Sequence, residues 1–364
     1  MVRSLVVNAD DLGLTAGVND GIFDAHDHGI LTSASVFASA PATSDAIRRA
    51  RSRPSLGVGV HLALVDGAPT LPPSRVPTLV EDDGRFRRSW KPFIVACLRG
   101  KVSLAEVELE LTAQIERLRS AGVRLTHLDA HKHVHAYPPV FAIVARLAAR
   151  FGIPVVRVPY ERWSSIGRHA GSRGTLAARG ESLAAFDGRC IPAPPQRGCR
   201  VRDPGAGGVA PPSNTPGILG RRALPAGRLA RLGATPDFHH GLLRLQALLN
   251  AAMLPWARRD YRSAASHDVR TPHFVGRIHT GILSADALAS LVRALEPGVT
   301  ELMVHPGYTD DELERTGTRL LESRQKELDL LCSLETRALL AGERVDLLRH
   351  DLTHVMNRSF RHVS

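Results

Sequence analysis

Cysteine, lysine and aromatic residues are scarce in this chain, and each scarcity closes off a class of protein. Four cysteines in 364 residues (Cys97, Cys190, Cys199, Cys332) are too few and too scattered for a disulfide scaffold. None has CxxC spacing, and a reducing cytosol is the expected compartment. Cys97 and Cys332 sit in apolar helical surroundings and read as packing residues. Only four of the 47 basic residues are lysine, a bias that points to a GC-rich genome rather than to selection for phosphate contacts. No stretch of about eighteen apolar residues occurs, so no membrane-spanning helix is expected. The opening run Leu5-Val6-Val7 stops at Asn8 and is followed by Asp10-Asp11, far too short for a secretory signal. A P-loop, a GxSxG elbow and an HExxH helix are also missing. Gly205-x-Gly207 neither follows a strand nor opens a helix, so it is not a dinucleotide fingerprint.

What is present is an ordinary globular composition, 43% hydrophobic and 23% charged, carrying a formal net charge of +11. That charge is local. Residues 161–260 contribute 15 Arg, no Lys and six acids, or +9, which leaves +2 for the rest. Within 161–235 lie 13 Gly and 8 Pro, no hydrophobic period survives, and breakers such as Pro192-Ala-Pro-Pro195 recur. Three readings stand: an insertion, a flexible Arg/Gly/Pro loop, or a stretch read out of frame. A nucleic-acid-binding arm is disfavoured, because such arms interleave aromatics for base stacking and here Trp163 and Phe186 stand nearly alone.

On either side the pattern alternates strand and helix. Leu5–Asn8, Ser33–Phe37, Val58–Leu62, Leu125–Leu128 and Pro154–Val158 read as strands, as do Phe274–Ile278 and Leu302–Val304; the pieces Thr336–Leu340 and Val345–Leu348 finish the chain without an assigned type. Helices are expected over 15–29 with Thr15 as N-cap, and from the capping box Ser103-Leu-Ala-Glu106 to Gly122. Others follow Pro138-Pro139 as far as Gly152, start near Ser284, and cover 320–331. Such alternation implies a parallel sheet, and the regular part has the size of one α/β barrel. The chain therefore reads as a single TIM-barrel-like parallel β/α barrel over 1–364, interrupted by the irregular segment at about 161–238.

Polar groups follow four of these strands. Val7-Asn8 runs into Asp10-Asp11, Val60 into His61, and Val304 into His305-Pro-Gly. Leu125-Thr126 runs into His127-Leu-Asp129-Ala-His131-Lys-His133-Val-His135. In a parallel α/β domain all the strand C-termini face one side, where ligands bind. Each group also has a plain structural explanation. An aspartate can cap the next helix, His61 can be a core histidine, the His-rich run can be an exposed loop, and His305-Pro-Gly can be a turn. Convergence favours a site. If extended, His131, His133 and His135 would share one side. Two imidazoles and a carboxylate suit Zn²⁺, Mn²⁺ or Fe²⁺, and a second carboxylate alongside could act as a general base.

At these residues the sequence resembles the YdjC-like (ChbG-type) carbohydrate deacetylases. The matching segments are Val6-Val-Asn-Ala-Asp-Asp-Leu-Gly13, Gly29-Ile-Leu-Thr-Ser-Ala-Ser35, Gly57-Val-Gly-Val-His-Leu62, His127 to His135, and Glu301-Leu-Met-Val-His-Pro-Gly-Tyr308. Within the family it is most similar to the subgroup associated with hopanoid biosynthesis. The resemblance implies removal of an N-acetyl group from an amino sugar by a divalent metal ion, Mg²⁺ or Zn²⁺. Metal ligands would be Asp11, His61 and His131, with Asp10 as base. His305 would protonate the leaving amine or steady the oxyanion. Asp129, His133 and His135 would orient the ligands or line the sugar site. Implied partners are an N-acetylated sugar or glycolipid, with no nucleic acid. A homodimer and peripheral contact with the inner membrane surface of the cytoplasm complete the expectation. Residues 242–256 are either a helix resting on such a surface or, more plainly, a core helix cut short by Pro255. Two rivals remain: hydrolysis of another ester, amide or phosphoester at the same metal, and a non-catalytic binding protein disrupted at 161–235.

Overall fold

The computed structural model describes residues 2–161 and 248–353. The irregular segment, and with it the question of one interrupted domain, lies outside the described residues apart from Glu161. So do Cys190 and Cys199, and residues 242–247 of the suspected surface helix.

Seven strands form one sheet: β1 (Arg3–Leu12), β2 (Ser33–Val36), β3 (Gly57–Leu62), β4 (Leu125–Ala130), β5 (His273–Val275), β6 (Gly298–Val304) and β7 (Val345–Leu347). Their order is β4-β3-β2-β1-β6-β5, with β7 against the start of β1, and every pairing is parallel. The expected strand at 154–158 is reduced to single bridges. Val156 pairs with Leu128, and Val155 pairs with Arg270, three residues before β5. These bridges carry the sheet past β4 and back toward its other edge, so the sheet curls toward a barrel.

Alternation of side chains along each strand separates two environments. One face (Leu5, Val7 and Ala9 of β1, Val58, Val60 and Leu62 of β3, Leu302 and Val304 of β6) joins the helices in one apolar core. The other face carries Ser4, Asn8, Asp10, Ser33, Ser35, His61, His127, Asp129 and Glu301, all buried. The strands expected to be simply apolar therefore have a polar inner face. Gly59 has no side chain there for a steric reason: a Cβ would meet the His127 ring at 2.4 Å.

Ten helices cover the outside of the described chain. They are α1 (Ala16–His28), α2 (Thr43–Ala50), α3 (Trp90–Leu98), α4 (Leu104–Ser120), α5 (Pro138–Phe151), α6 (Leu254–Ser266), α7 (Ala285–Arg293), α8 (Asp311–Arg315), α9 (Glu322–Cys332) and α10 (Leu334–Gly342). Thr15 caps α1, its hydroxyl accepting from Val18 N, and Gly152 ends α5 in the left-handed conformation that glycine adopts without strain. The capping box at α4 is only half formed. Ser103 Oγ accepts from Glu106 N, but the Glu106 carboxylate reaches across to Thr78 N and Oγ1 and pins a loop instead. Helical residues 248–252 end at Met253, as Pro255 predicts, and Pro255 itself stands in the first turn of α6, where its missing N–H costs nothing. α6 packs on α5 with Ala257, Asp260 and Ala264 buried, but these lie beyond residues 242–256. In the described part of that stretch only Asn250 is buried, and Leu248 and Leu249 are 69% and 48% exposed, which goes against the core-helix reading there.

Asp260 is 1% exposed, and neither carboxylate oxygen has a hydrogen-bond partner among the described residues. Burial raises its pKa from 3.8 to about 8. The unfolded chain ionises first, so stability falls as pH rises from about 4 to about 8. Asp260→Ala is expected to flatten that slope and to stabilise the fold by about 1–3 kcal/mol above pH 8. Urea unfolding at pH 5 and pH 8.5 checks this, and equal destabilisation at both would refute it.

Candidate metal and catalytic centre

A regular strand would send Asp10 and Asp11 to opposite faces. Here Asp11 takes a positive φ of 68°, and the β1–β2 register slips between Ala9 and Leu12, so both carboxylates turn inward. Asp11 Oδ1 lies 3.4 Å from His61 Nε2 and 3.2 Å from His131 Nδ1, and the two imidazole nitrogens are 3.3 Å apart. β1, β3 and the turn after β4 thus deliver three donor atoms to one point. The other groups expected at the site lie around it.

Each donor is held from behind. Asp11 Oδ2 accepts from Arg324 at 2.6 Å, leaving Oδ1 for the cluster. His61 Nδ1 is 2.7 Å from Asp129 Oδ1, which directs Nε2 toward the cluster. His131 Nε2 lies 3.4 Å from Asp66 Oδ2, and Lys132 pairs with the same oxygen. Asp66 is fixed by the loop that carries it. Buried Gln114 and Glu110 of α4 bind the backbone of Ala63, Thr70 and Leu71, and Asp66 N donates to Arg87 O.

A second cluster of donors, Asp10, His61 and Asp129, is within metal-binding reach. A cation already fills it. Arg157 grips Asp10 with two nitrogens at 2.7 and 2.8 Å, and its Nη2 also lies 2.9 Å from Asp129 and 2.6 Å from Glu301. Asn8 Nδ2 donates to Asp10 and Ser35, and Ser35 Oγ donates to Asp129. The charges of this buried centre do not balance. With His61 and His131 neutral, as metal ligands are, four carboxylates (Asp10, Asp11, Asp129, Glu301) face two guanidiniums (Arg157, Arg324), which leaves two negative charges for a divalent cation to offset. The set Asp11, His61 and His131 fits such an ion in donor type, convergence and charge.

The electrostatics agree. Burial works against ionising Asp10 and Asp11, but the guanidiniums of Arg157 and Arg324 overcome it and hold both carboxyls well below their usual range. Burial would also lower His61; the charges of Asp129, Asp11 and Asp10 instead raise it to about 10, the same pull that a cation would feel. His305, whose backbone N–H donates to Glu327 at 2.6 Å, is lowered to about 4 by burial and is a neutral imidazole at pH 7.

The His131–His135 run is not extended. It is a 3₁₀ turn with Lys132 and His133 at φ 51° and 54°, so the three imidazoles part. His131 joins the cluster, and His135 Nε2 donates to Arg157 O at 2.8 Å rather than orienting His131. The half-buried His133 ring stands 5.9 Å from Phe274. Sequence reasoning missed Arg157, Arg324, Asp66, Glu301, Asn8 and Ser35. For Arg157 a signal existed: a charge inside the apolar run Val155-Val-Arg-Val158.

Asp66→Asn is expected to weaken Zn²⁺ affinity about 10–100-fold, the usual cost of losing a carboxylate behind a ligating histidine. Competition titration with a chromogenic chelator measures it. Unchanged affinity would mean that Asp66 serves only Lys132.

The YdjC-like protein family model matches residues 4–342. A carbohydrate deacetylase of Geobacillus stearothermophilus is 43% identical over 155 residues, 43% of this chain and 60% of the relative. One from Brevibacillus brevis is 43% identical over 156 residues, 43% of this chain and 59% of the relative. The matches to these two relatives thus span about three-fifths of their length. The crystal structure of an Enterococcus faecalis V583 protein described by cellobiose-phosphate cleavage superposes with a TM-score of 0.62 at 21% identity. It covers 96% of this chain and 98% of that one, a likeness of fold.

Proposed function

This chain belongs to the YdjC-like family, and from that premise we propose that it hydrolyses the N-acetyl group of an amino sugar with a divalent cation held by Asp11, His61 and His131. The observation that carries this reading is the trio of donor atoms within 3.4 Å of one another, each backed by its own charged partner. Carbohydrate deacetylases among the relatives give the substrate class. Two imidazoles and one carboxylate are closer to a Zn²⁺ donor set than to the oxygen shell that Mg²⁺ prefers. When bound, the cation would supply Lewis acidity to the amide carbonyl and to a water.

The remaining steps belong to side chains. Asp10 stays anionic under the Arg157 clamp; its Oδ1 accepts from both Arg157 and Asn8, whereas Oδ2 accepts from Arg157 and keeps a further lone pair for the proton of the attacking water. His305, close enough to Asp10 and Asp11 to feel both charges, can donate a neutral N–H to the developing oxyanion, and it can protonate the leaving amine only by relaying the proton that Asp10 takes from the water. Asp129 keeps the His61 tautomer.

Acetate release from a panel of N-acetylated sugars tests the reading, with an acetylated hopanoid glycolipid included for the subgroup resemblance. Chelator is expected to abolish release, and added Zn²⁺ or Mg²⁺ to restore it. Phosphate release or ester cleavage without acetate would favour the rival hydrolases. Metal binding without any turnover would favour a binding protein.

A further inference from the structure

Helix α3 differs from the other helices in what it leaves outside. Phe93 and Ala96 anchor it to the core. Trp90 is 42% exposed, Val95 42% and Leu98 66%, and Leu104 at the start of α4 is 44% exposed. Lys91, Val95 and Leu98 recur at helical spacing and share one face, and the Lys91 ammonium lies 5.7 Å from the Trp90 ring centre. Between Asp83 and Glu106 there is no acidic residue, while Arg85, Arg88, Lys91, Arg99 and Lys101 are all exposed. An outward apolar strip carrying a tryptophan, on a stretch of chain with five exposed cations and no acid between Asp83 and Glu106, has the two components that bind a bilayer surface: area to bury among acyl chains and charge to meet anionic headgroups. A docking partner protein would need acidic groups in register with the scattered cations, whereas a bilayer surface needs no register.

We propose that α3 and its flanks are a docking face for an anionic lipid bilayer. The face adjoins the candidate centre. α3 packs on the 3₁₀ turn that bears His131, and Lys132 Nζ donates to Arg88 O at 3.4 Å. A bilayer against α3 therefore meets the rim of the site, and the substrate class it favours is an amphiphile whose acetylated headgroup projects from the membrane. That last clause rests on the deacetylase reading; the docking itself does not.

Flotation of the full chain with vesicles tests the proposal, comparing phosphatidylcholine alone with a phosphatidylcholine and phosphatidylglycerol mixture at low and high salt. Binding is expected only to the mixture and is expected to weaken with salt. Trp90 emission should shift to the blue on binding. Two variants separate the components: Lys91→Glu/Arg99→Glu/Lys101→Glu for charge and Val95→Ser/Leu98→Ser for apolar area. Each should cut the bound fraction by at least about tenfold. Circular dichroism confirms folding, and unchanged acetate release from a soluble substrate keeps docking distinct from catalysis. The proposal falls if the wild-type chain does not float, or if both variants float like it, since the arginines of 162–247 would then carry the binding. It also falls if Val95→Ser/Leu98→Ser instead abolishes a dimer seen by light scattering, since the strip would then bury itself against a second copy.

Discussion

His61→Ala and His131→Ala should each lower kcat/KM for acetate release by about three orders of magnitude or more, roughly 4 kcal/mol of transition-state stabilisation. Each removes one of three donors, and with two the cluster no longer holds a divalent ion against water. Metal content after dialysis should fall with activity, which separates ligand loss from misfolding. His61→Ala should also be less stable, because it strips the 2.7 Å partner from buried Asp129 and leaves that carboxylate facing Asp10 and Asp11. His131, 18% exposed in its side chain, should lose activity with little loss of stability. If both variants keep acetate release, the ligand assignment is wrong.

The larger structural effect should come from Arg157. It is 1% exposed, and its guanidinium is the shared counter-charge of Asp10, Asp129 and Glu301. Removing one partner of a buried ionic network costs about 3–5 kcal/mol, because the charges left behind have neither water nor a mate. Arg157→Ala should lose that amount in urea unfolding at pH 7. Its pH slope should also invert. In the wild type Asp10 has a folded pKa below its unfolded 3.8, so its contribution is complete above that value and is lost as pH falls toward the folded value. Without Arg157 only the weaker pull of His61 and His305 opposes burial, so the folded pKa is expected to rise above 3.8 and acid should relatively stabilise the variant. Arg157→Lys keeps the charge without the fork and should fall between the two. Equal stability of wild type and Arg157→Ala would mean that the network contributes nothing to the fold.

How much of this could be read beforehand varied with the range of the interaction. Thr15, Gly152 and Pro138 act within a few residues, and caps and breakers of that kind are written locally. The pieces 154–158 and 274–278 read as full strands, yet the first forms only bridges and the second pairs over His273–Val275. An apolar run registers hydrophobicity, whereas pairing depends on a neighbour elsewhere in the chain. Pro255 reads as a stop, and helical residues 248–252 do end before it; that it also opens α6 depends on the packing of that helix on α5.

The acids and imidazoles at the strand ends determined, without coordinates, a parallel α/β chain with a candidate centre at Asp10, Asp11, His61 and His131. Strand polarity alone brings those ends to one side. Only the tertiary structure decided which groups meet. A left-handed Asp11 turned two adjacent aspartates inward, and a turn at Lys132–His133 split a histidine run that would otherwise have shared one face. Arg157, Arg324 and Asp66, distant in sequence, arrived as the partners that hold the donors. Backbone dihedrals and long-range charge pairing depend on where the whole chain goes, and neither has a period that a linear pattern can show.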